Sequence, residues 1–134
     1  MTKKELEQYL VLKSEAEQLK DEIMKLKTSL ESPRSIVIDG MPRSESTVNR
    51  TDEMIGRYLS MQDALFTKWQ MVVRAHIRIE GALDKLDDAT SRMILRYRYI
   101  EGLTWSKIAM VMSYSVQRIY QLHNKALHQI EKVR

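Results

Sequence analysis

The sequence of 134 residues has no cysteine, only two prolines and four glycines, and no long run of apolar residues. The missing cysteine excludes disulfides, thiolate metal sites and cysteine nucleophiles. The scarcity of proline and glycine favours helix along most of the chain, because these residues are the ones that interrupt helices. No segment reaches the ~20 apolar residues that span a bilayer, and the N-terminus MTKKELEQ has no signal-peptide pattern. We therefore expect a soluble, cytoplasmic, all-α protein with no membrane partner.

Positive charge is concentrated in the C-terminal third of the chain. The formal net charge is +4, and residues 87–134 hold eight Lys and Arg against four Asp and Glu, so residues 1–86 are neutral overall. A localised basic surface is the electrostatic requirement for a polyanionic partner. Solvated helices often carry a similar excess, so charge alone leaves both interpretations open.

The first helix is predicted to begin near the N-terminus. Apolar residues from Leu12 to Leu30 recur in steps of four and three, which is coiled-coil spacing, and Pro33 ends the helix. Residues 32–51 are rich in Ser, Arg, Pro and Gly and predict a flexible linker, whose SIVID segment has the composition of a short extended piece.

A second long helix should start after Thr51 or Asp52 and continue to about Leu86. The simplest arrangement folds it antiparallel to the first helix, so that residues 1–86 form a helical hairpin for oligomerisation or partner contact. Its apolar stripe is wider than one neighbouring helix can cover, which predicts a further contact with a second chain or with the C-terminal unit. The residues that widen the stripe are Ile55, Phe66, Val73 and Ile77.

Three compact helices are predicted in residues 87–134, each with its own capping residue. The first should begin after Asp87 or Asp88, run to about Tyr99 and stop at Gly102. The other two are Trp105 to Met112 after Thr104, and Val116 to about Val133 after Ser115.

The last two predicted helices have the spacing of a helix-turn-helix, with the turn at Ser113 and Tyr114. Ile119 and Leu122 should anchor the second helix inward, which leaves a polar outer face. Amide side chains can pair with adenine edges, and Arg or Lys can reach guanine or phosphate, so this face is suited to major-groove readout. The outer-face residues are Val116, Gln117, Arg118, Tyr120, Gln121, Asn124 and Lys125, and the residues placed beside the groove to meet phosphates are Ser106, Lys107 and Ser115.

The segment LDDATSRMILRYRYIEGLTWSKIAMVMSYSVQRIYQLHNKALHQI, residues 86–130, resembles the promoter −35 binding region of bacterial sigma factors. Its GLTW-x-x-IA helix and its ending R-I-x-Q-L-x-x-K-A-L carry the resemblance. With the helical N-terminal half and the linker, the whole chain most resembles the small phage transcriptional regulators of the ArpU and RinA type. No other sigma-factor region is visible, so a complete sigma factor that melts promoters is not expected.

The resemblance implies roles for individual residues. Val116, Gln117 and Gln121 fall at base-reading positions and Arg118 and Lys125 at phosphate-facing ones. Together with the outer-face residues Tyr120 and Asn124 they complete the predicted DNA-binding set.

Two departures from the sigma-like pattern stand out. Val116 occupies a position where arginine often reads guanine, which implies either contact with a thymine methyl group or no base contact. Ser113 replaces the usual turn glycine and must adopt a conformation that glycine takes more cheaply, unless the turn differs slightly.

Other side chains receive structural interpretations. Trp105 is expected to pack rather than to stack on bases, and His76 to be a hydrogen-bonded packing residue. In the alternating run of residues 96–99, the tyrosines are expected to pack and the arginines to be solvated, with a run that faces nucleic acid as the alternative. We predict no metal, no cofactor and no catalytic residue, since no ligand spacing and no nucleophile with a base is recognisable.

The sequence thus predicts a DNA-binding transcriptional regulator, a phage late-gene activator that binds double-stranded DNA at promoters in the bacterial host cytoplasm. RNA polymerase is a further expected partner, and a homodimer is favoured because two half-sites multiply the affinity of one small recognition helix. Two alternatives stay open: a small terminase-like subunit of phage DNA packaging, and an adaptor without DNA binding whose sigma-like module docks on RNA polymerase or another protein.

Overall fold

The computed structural model describes residues 1–31 and 45–133, with side chains from residue 49 onward in the second range. These residues form five α-helices and no strand, which confirms the all-α prediction. Within the same ranges, no helix is long and apolar enough to cross a membrane. The helices are α1 (Lys3–Glu31), α2 (Glu45–Asp84), α3 (Ala89–Leu95), α4 (Trp105–Met112) and α5 (Val116–Glu131).

Residue contacts divide the chain into two compact units. The first unit comprises Met1–Lys13 and Met71–Arg134, and the second comprises Ser14–Gln70. The predicted boundary between residues 86 and 87 does not coincide with the division into these units, because the first residues of α1 pack with the C-terminal helices. Within the first unit, Nζ of Lys13 donates to the carbonyl of Ile100 at 3.2 Å.

The two long helices contact each other in each unit, as the hairpin prediction requires. In the first unit the ring centroids of Tyr9 and His76 are 5.7 Å apart, and Nε2 of His76 lies 3.1 Å from Oε1 of Glu80. In the second unit Nζ of Lys68 lies 2.6 Å from Oε2 of Glu15. The predicted apolar seams contribute buried residues, among them Ala16, Ile23, Val72, Ile79 and Leu83. Leu6 and Tyr9 are buried as well, although they precede the predicted seam of α1.

Helix α2 begins earlier than predicted. It starts at Glu45 instead of after Thr51 or Asp52, so residues 45–51 are helical and the predicted linker is shorter. The polar composition of residues 45–51 suggested a loop. Neither proline nor glycine interrupts this segment, and its other residue types lower the stability of a helix only slightly. The rest of the predicted linker, residues 32–44 with the SIVID segment, lies outside the described residues.

Helix α3 is capped by Asp88, one of the two predicted candidates. Its carboxylate accepts from the backbone N–H of Thr90 at 3.1 Å and from Oγ of Ser91 at 2.8 Å. The helix then widens into a π-helical turn, Arg96–Ile100, which closes with Gly102 at φ 70°. The predicted stop at Gly102 is therefore confirmed, and the widened turn was not foreseen.

The helix-turn-helix has the predicted caps and turn. The Thr104 hydroxyl accepts from the N–H of Lys107 at 3.2 Å, and the Ser115 hydroxyl accepts from the N–H of Arg118 at 3.1 Å. Ser113 takes the left-handed conformation, with φ 59° and ψ 39°. This is the conformation expected at a position where the sigma-like pattern usually has glycine. The core of this region consists of Ile94, Ile108, Ala109 and Ile119, none more than 6% exposed.

Candidate nucleic-acid interface

One face of α5 carries all five side chains predicted to read bases. Ile119 and Ala126 on the opposite face are fully buried, so the orientation of the helix about its own axis is fixed by packing. Helical periodicity then points the remaining positions outward. Gln117, Gln121 and Asn124 are exposed, Tyr120 is 46% exposed, and Val116 is half-buried against the core.

The residues predicted to flank the groove lie at the starts of the two helices. Ser106 and Lys107 are exposed in the first turn of α4, and Ser115 is the exposed N-cap of α5. The Ser115 oxygen is occupied as an acceptor by the cap hydrogen bond, but its O–H can still donate to a phosphate. Hydroxyl and ammonium donors at helix starts match the way that phosphates are usually held.

The two cations of the α5 face contact other polar side chains. Nη1 of Arg118 donates to Oε1 of Gln121 at 3.1 Å, and Nζ of Lys125 lies 3.8 Å from Oδ2 of Asp88. The hydrogen bond from Ser91, helped by the N–H of Thr90 and the charge of Lys125, holds the pKa of Asp88 below its usual value. Asp88 therefore stays anionic near pH 7 and remains a counter-charge for Lys125.

An aromatic cluster that the sequence analysis did not identify lies behind this face. The Trp105 ring meets the ring of Tyr120 edge-on at 5.2 Å and the ring of His123 at 4.6 Å. The Arg98 guanidinium covers the Trp105 ring at 4.3 Å and donates to the carbonyl of Leu103 at 2.9 Å. We refer to Arg98, Trp105, Tyr120 and His123 as the aromatic cluster. It links the exposed face of α5 to the turn after α3.

The arginines in the run of residues 96–99 are only partly solvated, since each has a partner in the structure. Arg98 lies on Trp105, and both terminal nitrogens of Arg96 donate to the carboxylate of Glu80, at 2.5 and 2.8 Å. These bonds from Arg96 hold the pKa of Glu80 below its usual value. The π-helical turn places the two arginines against α2 and α4, which their spacing in the sequence could not show. The neighbouring Tyr99 packs as predicted.

The inner face of α5 contains a buried histidine. His123 is 4% exposed, Tyr99 is 2% exposed, and His123 Nε2 lies 2.7 Å from the Tyr99 hydroxyl. Burial lowers the pKa of His123 to about 4 and raises the pKa of Tyr99 to about 12, so both groups are neutral near pH 7. The inward position of His123 was not predicted from the sequence. The spacing of His123 from Ile119 and Ala126, which follows the helical period, is the sequence signal that could have indicated this position.

The structure offers no metal site in the ranges it describes, where no group of three His, Cys, Asp or Glu residues could hold an ion. The side chains gathered on the outer face of α5 and at the start of α4 are mostly amides, hydroxyls and cations, and Val116 and the Tyr120 ring add apolar surface. Their chemistry is that of hydrogen bonding to base edges and phosphates.

Residues 82–132 match the family model of sigma-70, region 4. The match covers the end of α2 and all of α3, α4 and α5, including the whole outer face of α5. No curated protein and no solved structure shows a significant match to the chain. The C-terminal part is therefore a sigma region 4-like helix-turn-helix, and the family that it resembles consists of DNA-binding modules.

Proposed function

We propose that the protein is a sequence-specific transcriptional regulator that binds double-stranded DNA by inserting α5 into the major groove. The observation that carries the proposal is that one face of a capped helix, inside a segment that matches sigma region 4, holds the exposed residues Gln117, Tyr120, Gln121 and Asn124 and the half-buried Val116. The resemblance to ArpU and RinA regulators extends the proposal to a phage late-gene activator that acts in the bacterial host cytoplasm.

Recognition would depend on a rigid docking of α5. Its apolar face is anchored on a core in which Ile108 and Ile119 are fully buried, and its start is fixed by the Ser115 cap. Ser106, Lys107, Arg118 and Lys125 would hold phosphates on either side of the groove. Contacts to phosphate position a protein on the duplex, and contacts to base edges supply its specificity.

The N-terminal hairpin would serve oligomerisation or contact with RNA polymerase. In the second unit, the side chains of Ile55, Leu59 and Phe66 are 43%, 58% and 65% exposed along one helix. Apolar patches of this kind mark protein interaction sites more often than inert surface. A homodimer is favoured, because coupling two recognition helices raises affinity without new base contacts.

The test is to select bound sequences from random duplex DNA and to measure affinities by fluorescence anisotropy at several salt concentrations. Gln121→Ala should relax preference at one base pair by about 1 to 3 kcal/mol. Lys125→Ala should weaken all duplexes alike and lower the salt slope by about 1. Lys20→Ala, in the second unit, is the matched control and should change neither.

Each other result has a defined meaning. If both Gln121→Ala and Lys125→Ala bind every duplex as the wild type does, α5 is not the recognition helix. Unchanged anisotropy of all duplexes at low salt would favour the adaptor. Rings of eight or more chains would indicate a packaging subunit, whereas a dimer agrees with the regulator.

A further inference from the structure

The outer face of α5 has an apolar pair at its beginning. Val116 and Tyr120 are four residues apart and therefore neighbours on one side of the helix. Val116 is half-buried and Tyr120 is 46% exposed, so both present apolar surface to a partner. The group in the major groove that such surface can recognise is the thymine C5-methyl.

Tyr120 is held in place before any partner arrives. The edge-on contact with Trp105 at 5.2 Å restrains its ring, and Trp105 is covered by the Arg98 guanidinium at 4.3 Å. Arg98 is fixed in turn by its hydrogen bond to the carbonyl of Leu103. A side chain that is ordered before binding loses less conformational entropy on binding. The Tyr120 ring is therefore a preorganised contact surface.

Two free amides extend the apolar pair along the same face. Gln117 and Asn124 are exposed, and neither has a hydrogen-bond partner in the part of the chain that the structure describes. A free amide can donate and accept at once, which is the pattern that the adenine N6 and N7 positions require. Both residues are thus available for adenine without breaking a contact in the protein.

The side chains suited to guanine are engaged instead. Arg118 donates to Gln121 at 3.1 Å, and Lys125 lies 3.8 Å from Asp88. Each contact is exposed and weak on its own. Reading guanine with either cation would nevertheless replace an existing contact, whereas reading adenine with Gln117 or Asn124 would not.

We propose that this face selects consecutive A·T base pairs: Val116 and Tyr120 contact thymine methyl groups, Gln117 and Asn124 pair with adenine edges, and Trp105 is the positioning residue that orients Tyr120. The inference rests on the proposed function, since it names the base pairs that the proposed recognition helix reads.

The test uses the full chain and the DNA site obtained by selection from random duplexes. Each thymine of that site is replaced in turn by deoxyuridine, which removes the methyl group and leaves base pairing intact. Burial of one methyl group corresponds to about a fourfold change in affinity, so the wild type should bind about fourfold more weakly when the thymine under Tyr120 is replaced. Tyr120→Ala should lose this discrimination and Tyr120→Phe should keep it.

A neighbouring residue provides the matched control. Val116→Ala should remove discrimination at a different thymine and leave the one read by Tyr120 unchanged. Trp105→Phe should reduce discrimination at the Tyr120 position alone, because it alters the support of that ring. A purely structural role for Trp105 would instead weaken all duplexes equally and leave the ratio of thymine to deoxyuridine affinities intact.

Failure of this inference can be distinguished from failure of the proposed function. A selected site with G·C pairs throughout its recognised positions refutes A·T selection while DNA binding stands. The same holds if deoxyuridine has no effect on the wild type or if Tyr120→Ala keeps the discrimination. Absence of binding to every duplex at low salt refutes the proposed function itself.

Discussion

Acidification should destabilise the protein through His123. The imidazole is 4% exposed, with Tyr99 at hydrogen-bond distance and the Trp105 ring beside it. Burial lowers its pKa from 6.5 to about 4, and the positive charges of Lys3 and Arg98 act in the same direction. The unfolded chain therefore binds a proton at His123 in a pH range where the folded protein does not.

The size of the effect follows from the two pKa values. The contribution of His123 to the free energy of unfolding is fully present above pH 6.5 and is lost as the pH falls toward about 4. A pKa difference of one unit corresponds to about 1.4 kcal/mol, so the total loss is about 3 kcal/mol. This is a large share of the stability of a small protein.

Urea unfolding between pH 7 and pH 4, followed by circular dichroism, measures this loss. His123→Gln removes the titrating group, so the stability difference between wild type and variant should shrink by about 3 kcal/mol over that range. The carboxylates also titrate in this range, but they do so in both proteins, so the difference between wild type and variant removes their contribution to the pH dependence. His128→Gln, at an exposed position of the same helix, is the matched control and should keep the wild-type dependence on pH.

A constant difference between wild type and His123→Gln across the pH range would refute the reasoning. It would mean that the folded protein protonates the imidazole as readily as the unfolded chain does. An NMR titration of the His123 ring gives an independent check, since its midpoint should lie near pH 4.

Three further variants can be compared in the same unfolding assay. Ser113→Gly should raise stability by about 1 kcal/mol, because Ser113 has φ 59° and a left-handed residue other than glycine is strained; lower stability would refute that strain. Ser115→Ala should lower stability by about 1 kcal/mol through loss of the bond to the Arg118 N–H, and an unchanged urea midpoint would show that the cap contributes little. Tyr99→Phe should lower stability by about 1 to 3 kcal/mol at pH 7, because the buried His123 nitrogen loses its partner; no change would show that water replaces the phenol.

The helix boundaries of the C-terminal region were predictable because their signals are local. Asp88, Thr104 and Ser115 each bond an N–H two or three residues ahead, so the residue types and spacing suffice. The left-handed conformation of Ser113 was expected from the resemblance, in which a glycine usually occupies this turn position. The outward position of the predicted base-reading residues followed from helical periodicity in the same way.

The features that escaped prediction depend on contacts between distant parts of the chain. The stacking of Arg98 on Trp105 requires the π-helical turn, which no local pattern indicated. The contact of Arg96 with Glu80 joins residues 16 positions apart. The start of α2 was misjudged for a different reason, since polar residues without a helix breaker are compatible with both loop and helix.

The packing of the first 13 residues with the C-terminal helices has a consequence for how the DNA-binding part can be isolated. A fragment cut at residue 87 would lack Leu6 and Tyr9, which are buried, and Lys13, which holds the carbonyl of Ile100. The helix-turn-helix therefore belongs to a unit built from Met1–Lys13 and Met71–Arg134, and its transfer into another protein must include both segments.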